Sequence, residues 1–293
     1  MKNLKFYWLD VFAEKPLEGN QLAVFPDAGA LGADEMQAVA REMNLSESTF
    51  VTGTRKDASG RMVFETRIFT VEEELPFAGH PTLGTSYLMR SLHGLDHVVL
   101  GLKVGEIPVS FSEQNGHVYG EMRQVEPKFG AIHERERIAE IFGVGPEDLD
   151  SGYPIQTVST GVPFIMVPFR ELKVLENISP DFRKMQPYLE GSDGKFFYAV
   201  CRETMDKGSI LHARMIFYGG EDPATGSAAG PAAAWMLKYG IMEPETINWI
   251  EQGLEMERPC RIYVMGSMNN GVPGNIRVGG HCSILGKGEI GIP

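Results

Sequence analysis

Glu74-Leu75-Pro76-Phe77-Ala78-Gly79-His80 and Glu221-Asp222-Pro223-Ala224-Thr225-Gly226-Ser227 carry Glu, Pro and Gly at identical offsets, half a chain length apart in a sequence of 293 residues. Three shared residues alone carry little weight; their surroundings carry more. Upstream of each lies an apolar strand containing Arg and Phe, Arg61 to Phe69 (RMVFETRIF) and Ile210 to Tyr218 (ILHARMIFY). Downstream of each a helix runs to a glycine stop. The first covers Pro81 to Leu92, ending near Gly94, and the second covers the Ala-rich Ala228 to Tyr239, ending at Gly240. Pro231 is expected in the first turn of the second helix, where a missing N–H does little harm. Repetition at this spacing marks a duplicated unit.

The match extends further outward. Gly19 to Pro26 (GNQLAVFP) is similar to Gly161 to Pro168 (GVPFIMVP), each a glycine turn, an apolar strand and a proline. A short helix follows each: Asp34 to Met43, and Pro180 to Leu189 with Ser179 as N-cap and proline at its first position. Then comes a strand, Thr49 to Thr54 and Phe196 to Cys201. Val98 to Gln124 alternates as a meander, and so does Asn248 to Gly288, with turns expected at Met268-Asn269-Asn270-Gly271 and Gly279-Gly280. The architecture expected is α+β, two pseudo-symmetric halves, each a curled, mostly antiparallel sheet around a central helix. The boundaries expected are 1–124, completed by a few C-terminal residues, and 125–293, with the active site in the cleft between the halves.

Composition narrows the function. A net charge of −12 leaves no basic surplus to neutralise phosphates, which excludes a nucleic-acid partner. No run of eighteen apolar residues exists to span a bilayer, and Met1 to Asp10 reads as a first strand rather than a signal peptide. Cys201, Cys260 and Cys282 are odd in number and widely spaced, which fits buried thiols in a cytoplasmic protein and no zinc knuckle.

Both glycine-marked helix starts are expected to attract an anion, because a helix N-terminus offers unpaired N–H groups and a partial positive charge. Gly79 and Gly226 would let a ligand reach the backbone without a Cβ in the way. Taken singly, His80 is an ordinary packed or capping histidine, Ser227 an ordinary N-cap and Asp222 an ordinary turn residue. Paired at half-chain spacing, they form a candidate site for a small carboxylated substrate. Glu47, in Met43-Asn44-Leu45-Ser46-Glu47-Ser48-Thr49, is expected in a loop before a strand; the matching junction of the second half, Gly194-Lys195-Phe196-Phe197, has no carboxylate.

The runs Arg41 to Val51, Glu74 to Pro81 and Glu221 to Gly230, together with Asp10-Val11-Phe12 and Pro16-Leu17-Glu18-Gly19-Asn20, resemble the signatures of the PhzF-like phenazine-biosynthesis isomerases. The resemblance covers essentially the whole chain in motif order. It implies the diaminopimelate epimerase-like fold, no cofactor, no metal and commonly a homodimer. It also implies isomerisation of the kind performed on trans-2,3-dihydro-3-hydroxyanthranilate. Carried over by motif, Glu47 is the proton-shuttling general acid and base, while His80, Asp222, Ser227, Gly79 and Gly226 hold the substrate. A single carboxyl can serve both roles if its pKa rises from ~4.3 towards 6–7, about 3–4 kcal/mol of differential stabilisation. Cofactor-free epimerases of the wider fold use two cysteines near the helix starts; here those places read Ala-Gly-His and Thr-Gly-Ser, which argues against a two-thiol mechanism.

Two other classes stand beside isomerisation. One is a non-catalytic small-carboxylate-binding protein on the same fold. The other is a hydrolase or metal enzyme, disfavoured because Gly226-Ser227-Ala228-Ala229-Gly230 is no nucleophile elbow and Gly94 interrupts the one i, i+4 histidine pair, His93 and His97.

Overall fold

A computed structural model of the chain describes residues 2–114, 116–217 and 220–292. Internal contacts group it into two units, Met1–Met122 with Gly279–Pro293, and Arg123–Val278. The first unit runs β1 (Lys2–Val11), β2 (Asn20–Phe25), α1 (Ala33–Met43), β3 (Glu47–Lys56), β4 (Met62–Phe69), β5 (Glu74–Leu75), α2 (Gly79–His93), β6 (His97–Leu102), β7 (Gly105–Gln114) and β8 (His117–Arg123). Residues 282–292 return to pair antiparallel with β1.

Two of its pairings are parallel, β2 with β3 and β4 with β6, and each needs a crossover. Helices α1 and α2 supply them, on opposite faces of the sheet. Strand alternation sends Ala23, Phe25, Phe50 and Phe69 to the α1 face, where they meet Met36, Val39 and Ala40 at helical spacing. The Phe25 and Phe50 rings stack there at 4.7 Å. The opposite face meets α2: Thr49 Oγ1 lies 2.7 Å from Thr85 Oγ1, and a Cβ on Gly84 would come within 2.6 Å of the Leu22 and Val11 side chains. Covered on both faces, β2 reads as one apolar run rather than an alternation.

The second unit runs β9 (Lys128–Ile132), α3 (Arg135–Phe142), β10 (Gln156–Ser159), β11 (Pro163–Phe169), α4 (Leu172–Glu176), α5 (Phe182–Glu190), β12 (Phe196–Cys201), β13 (Leu211–Phe217), β14 (Gly220–Asp222), α6 (Gly226–Lys238), β15 (Asn248–Gln252) and β16 (Cys260–Asn269). The last strand, β17 (Val272–Ile292), is shared between the units in sequence. Parallel pairs again flank crossovers, β11 with β12 and β13 with β15. Ile138, Phe142, Met185 and Leu189 of α3 and α5 pack on Ile165, Val167, Phe169 and Phe197. Helix α6 packs on β10, β11 and β16, and every residue from Ala228 to Leu237 is buried. An Ala-rich helix lets strands approach from all sides, which its composition foretold.

Several local expectations change. Both long helices start earlier than read: Gly79 and Gly226 are their first residues, with Ala78 and Thr225 as N-caps, so Pro231 lies past the first turn of α6. Helix α5 is capped by Asp181, whose carboxylate accepts from Arg183 N at 3.0 Å, rather than by Ser179. Gly279-Gly280 is not a turn but part of β17; a Cβ on Gly279 would meet Gly120 O at 2.5 Å, so glycine there permits close backbone approach. Asn270-Gly271 does turn the β16–β17 hairpin, both at positive φ. Glu47 opens a strand rather than sitting in a loop. Strand β9 and helix α3 were not read from the sequence, and Tyr218, the expected end of the second Arg-containing strand, lies outside the described residues. No helix among the described residues is long and apolar enough to cross a membrane, and all three cysteines are buried.

Candidate active site

In the first unit the parallel β2–β3 register sets Glu47 beside Leu22, one residue along from Asn20-Gln21. Helix α2 brings His80, its second residue, to the same place: His80 Nε2 stands 3.5 Å from Glu47 Oε2. Asn20 Nδ2 lies 3.2 Å from His80 Nδ1, and Asn20 Oδ1 accepts from Ser46 Oγ at 3.3 Å. Asn20 thus ties the turn ahead of Glu47 to the imidazole. Burial pushes the His80 pKa down to about 3, against a weaker opposing hydrogen bond with the Gln21 backbone, so the ring is neutral near pH 7. Glu47 therefore faces a neutral partner and not a cation. The side chain of Glu47 is 15% exposed, enough to be reached by a ligand while mostly removed from water.

Neither long helix has a side-chain cap at its start. The first bonds back to the caps are Thr82 N to Ala78 O, and Ala228 N with Ala229 N to Thr225 O. The N–H groups of Gly79 and His80, and of Gly226 and Ser227, are the leading donors of their helices.

The glutamate of each motif has a structural explanation. Arg67 donates through Nε and Nη2 to both oxygens of Glu74 at 2.8 and 2.6 Å, and Arg214 does the same to Glu221 at 2.9 and 2.7 Å. Each pair spans seven residues and clamps a long strand to the short strand that precedes the helix, β4 to β5 and β13 to β14. The Arg67 bonds, outweighing burial and helped by Lys103, hold Glu74 down at about 2. Arg214 also donates to Leu175 O and Glu176 O, tying its clamp to α4.

In the second unit Asp222 ends β14, and its Oδ2 accepts from Thr225 Oγ1 at 2.5 Å. Ser227 is the second residue of α6, the place His80 holds in α2. Phe196 opens β12 opposite Phe164, as Glu47 opens β3 opposite Leu22, so the acid is confined to the first unit at that position. Leu75, conversely, ends β5 where Asp222 ends β14. Sequence reasoning did not single out Asn20, Arg67, Arg214 or Thr225. Each lay within a run already quoted: an Arg stands seven residues before the motif Glu in both copies, Asn20 closes the Pro16 to Asn20 run, and Thr225 lies in Glu221 to Gly230.

The family model described as phenazine biosynthesis-like protein, PhzC-PhzF, matches residues 9–288. The trans-2,3-dihydro-3-hydroxyanthranilate isomerase of Pseudomonas chlororaphis is 34% identical over 283 residues, spanning 96% of this chain and 97% of its own. Among solved structures, a phenazine biosynthesis protein of the PhzF family from Bacillus anthracis is 27% identical, with a TM-score of 0.89 over 100% of both chains. A probable proline racemase from Agrobacterium radiobacter, only 8% identical, still gives a TM-score of 0.66 over 99% of this chain and 93% of its own, a likeness of fold alone.

Proposed function

The chain belongs to the PhzC-PhzF family of phenazine biosynthesis-like proteins and is an isomerase, and within that family we propose that it moves a proton on a small cyclic or amino-acid-like carboxylate with Glu47 as acid and base. The observation that carries this is the Glu47 carboxylate at 3.5 Å from a buried, neutral His80. A carboxylate beside a neutral imidazole keeps its capacity to take a proton, which an ion pair would reduce. Glu47 removes a proton from one substrate carbon and returns it to another, so no atom is gained or lost. The anionic intermediate is stabilised by donors aimed at the charge, for which the Gly79 and Gly226 N–H groups at the two helix starts are suited. Asp222 and Ser227 are assigned to the same substrate, as acceptor and donor for its polar groups. The family resemblance also leads us to propose a cytoplasmic homodimer, which sedimentation equilibrium would test.

The decisive experiment incubates the protein with trans-2,3-dihydro-3-hydroxyanthranilate, the compound named for the Pseudomonas relative, in heavy water and follows ring protons by NMR. Deuterium is expected to enter the ring with the wild type. The rate is expected to fall by about 10²–10⁴-fold with Glu47→Gln, the usual weight of a general acid-base group. Equal rates for the two proteins would remove Glu47 from the mechanism. No exchange with folded wild type would reject that compound and turn the search to other small carboxylates.

A further inference from the structure

Gln252, the last residue of β15, has no exposed surface, and its amide makes four hydrogen bonds. Oε1 accepts from Tyr198 Oη at 3.0 Å and from Thr225 N at 3.3 Å. Nε2 donates to Asp222 O at 2.7 Å and to Thr225 Oγ1 at 3.0 Å. The orientation of the amide is unambiguous, because only its nitrogen can donate to a carbonyl and only its oxygen can accept from a backbone N–H. That orientation decides what Thr225 does. With one lone pair of Oγ1 taken by the Gln252 donor, the Thr225 hydroxyl proton is left to point at Asp222 Oδ2, 2.5 Å away. The next residue reinforces the contact: Gly253 has φ +79°, and a Cβ there would meet Pro223 O at 2.5 Å, so β15 ends pressed against the loop that carries Asp222.

We propose that Gln252 is a positioning residue that fixes the Asp222 carboxylate by locking the Thr225 hydroxyl towards it. The proposal rests on Asp222 being a substrate-holding group. Gln252 contributes by orientation, and a small misplacement of a substrate-holding carboxylate is enough to slow turnover.

The test combines crystal structures of variants with a double-mutant cycle. Gln252→Leu removes all four bonds, and Gln252→Glu keeps the side-chain size and the two acceptor bonds while losing both donations. In either variant the Thr225 Oγ1 to Asp222 Oδ2 bond is expected to be lost in the crystal structure. On trans-2,3-dihydro-3-hydroxyanthranilate, kcat/KM is expected to fall by up to about 10²-fold. Thr225→Val should fall by the same factor, and adding it to Gln252→Glu should lower the rate no further, because the two act in series. Thr225→Ser, which keeps the hydroxyl, should turn over like the wild type. A Thr225–Asp222 bond intact in both Gln252 variants would overturn the proposal, as would losses that multiply in the double variant. If the wild type exchanges no proton on this compound, the choice of substrate fails, and the variant structures still decide the role of Gln252.

Discussion

Burial and not charge sets the state of His80. The imidazole is 4% exposed, and removing it from water disfavours its cation until the pKa drops from 6.5 to about 3. The unfolded chain still takes up that proton at about pH 6.5, so acid favours unfolding. Stability contributed by neutral His80 is present above pH 6.5 and is lost as pH falls from there towards 3. Between about pH 7 and pH 5 the expected loss is about 2 kcal/mol, at 1.36 kcal/mol per unit. Urea unfolding of the wild type and His80→Gln at both pH values checks it: the variant should lack this part of the acid slope, and parallel curves would contradict a depressed His80. Asn20 belongs to the same account, since it orients a ring 60 residues away in sequence.

Among the elements, the strand–loop–helix passage recurs in both units with the same Arg–Glu clamp, and the clamps differ in burial. The Arg214 and Glu221 side chains are 11% and 14% exposed, while Arg67 is 29% exposed and its partner Glu74 has Lys103 as a second cation at 2.7 Å. Breaking a buried pair strands a charge and costs roughly 3–5 kcal/mol. Arg214→Met should therefore destabilise by about that amount, with two α4 carbonyls also losing their donor. Arg67→Met should cost clearly less, because Lys103 still neutralises Glu74 and water reaches the gap. Thermal or urea unfolding of the two variants gives the order; equal effects would mean burial is not what separates them. The motif glutamates thus belong to architecture.

Across the whole molecule, a second buried histidine titrates in the opposite direction. His212 has no exposed surface and lies between Glu251 and Glu255, at 2.9 and 2.8 Å. Burial works to lower its pKa, but the two carboxylates outweigh that and raise it to about 9. Its stabilisation is complete below the unfolded value near 6.5 and is lost as pH rises through 9, a window worth about 3 kcal/mol. Native stability should then fall on both sides of neutrality, His80 steepening the acid limb and His212 the alkaline one. Unfolding curves of His212→Gln against the wild type between about pH 6.5 and 9 are the check: the gap should close as pH rises, and a constant gap would refute the cationic assignment.

Features that depend on short-range chemistry could be read along the chain. The Glu-x-Pro-x-x-Gly passages, the apolar strands before them, the Ala-rich helix and the Asn270-Gly271 turn were legible because backbone sterics and periodicity act over a few residues. Glu47, His80, Asp222 and Ser227 stood out as candidates only through their motifs; no spacing rule connects residue 47 to residue 80. Tertiary structure decided the rest. The strand role of Gly279-Gly280 follows from the close approach of Gly120, not from the glycine pair. The neutrality of His80 follows from desolvation, which exists only once the core has closed around the ring. Gln252 reaches Thr225 across 27 residues of sequence, through a parallel β13–β15 pairing that a helix must first cross. Such contacts depend on where long segments return, which no local pattern encodes.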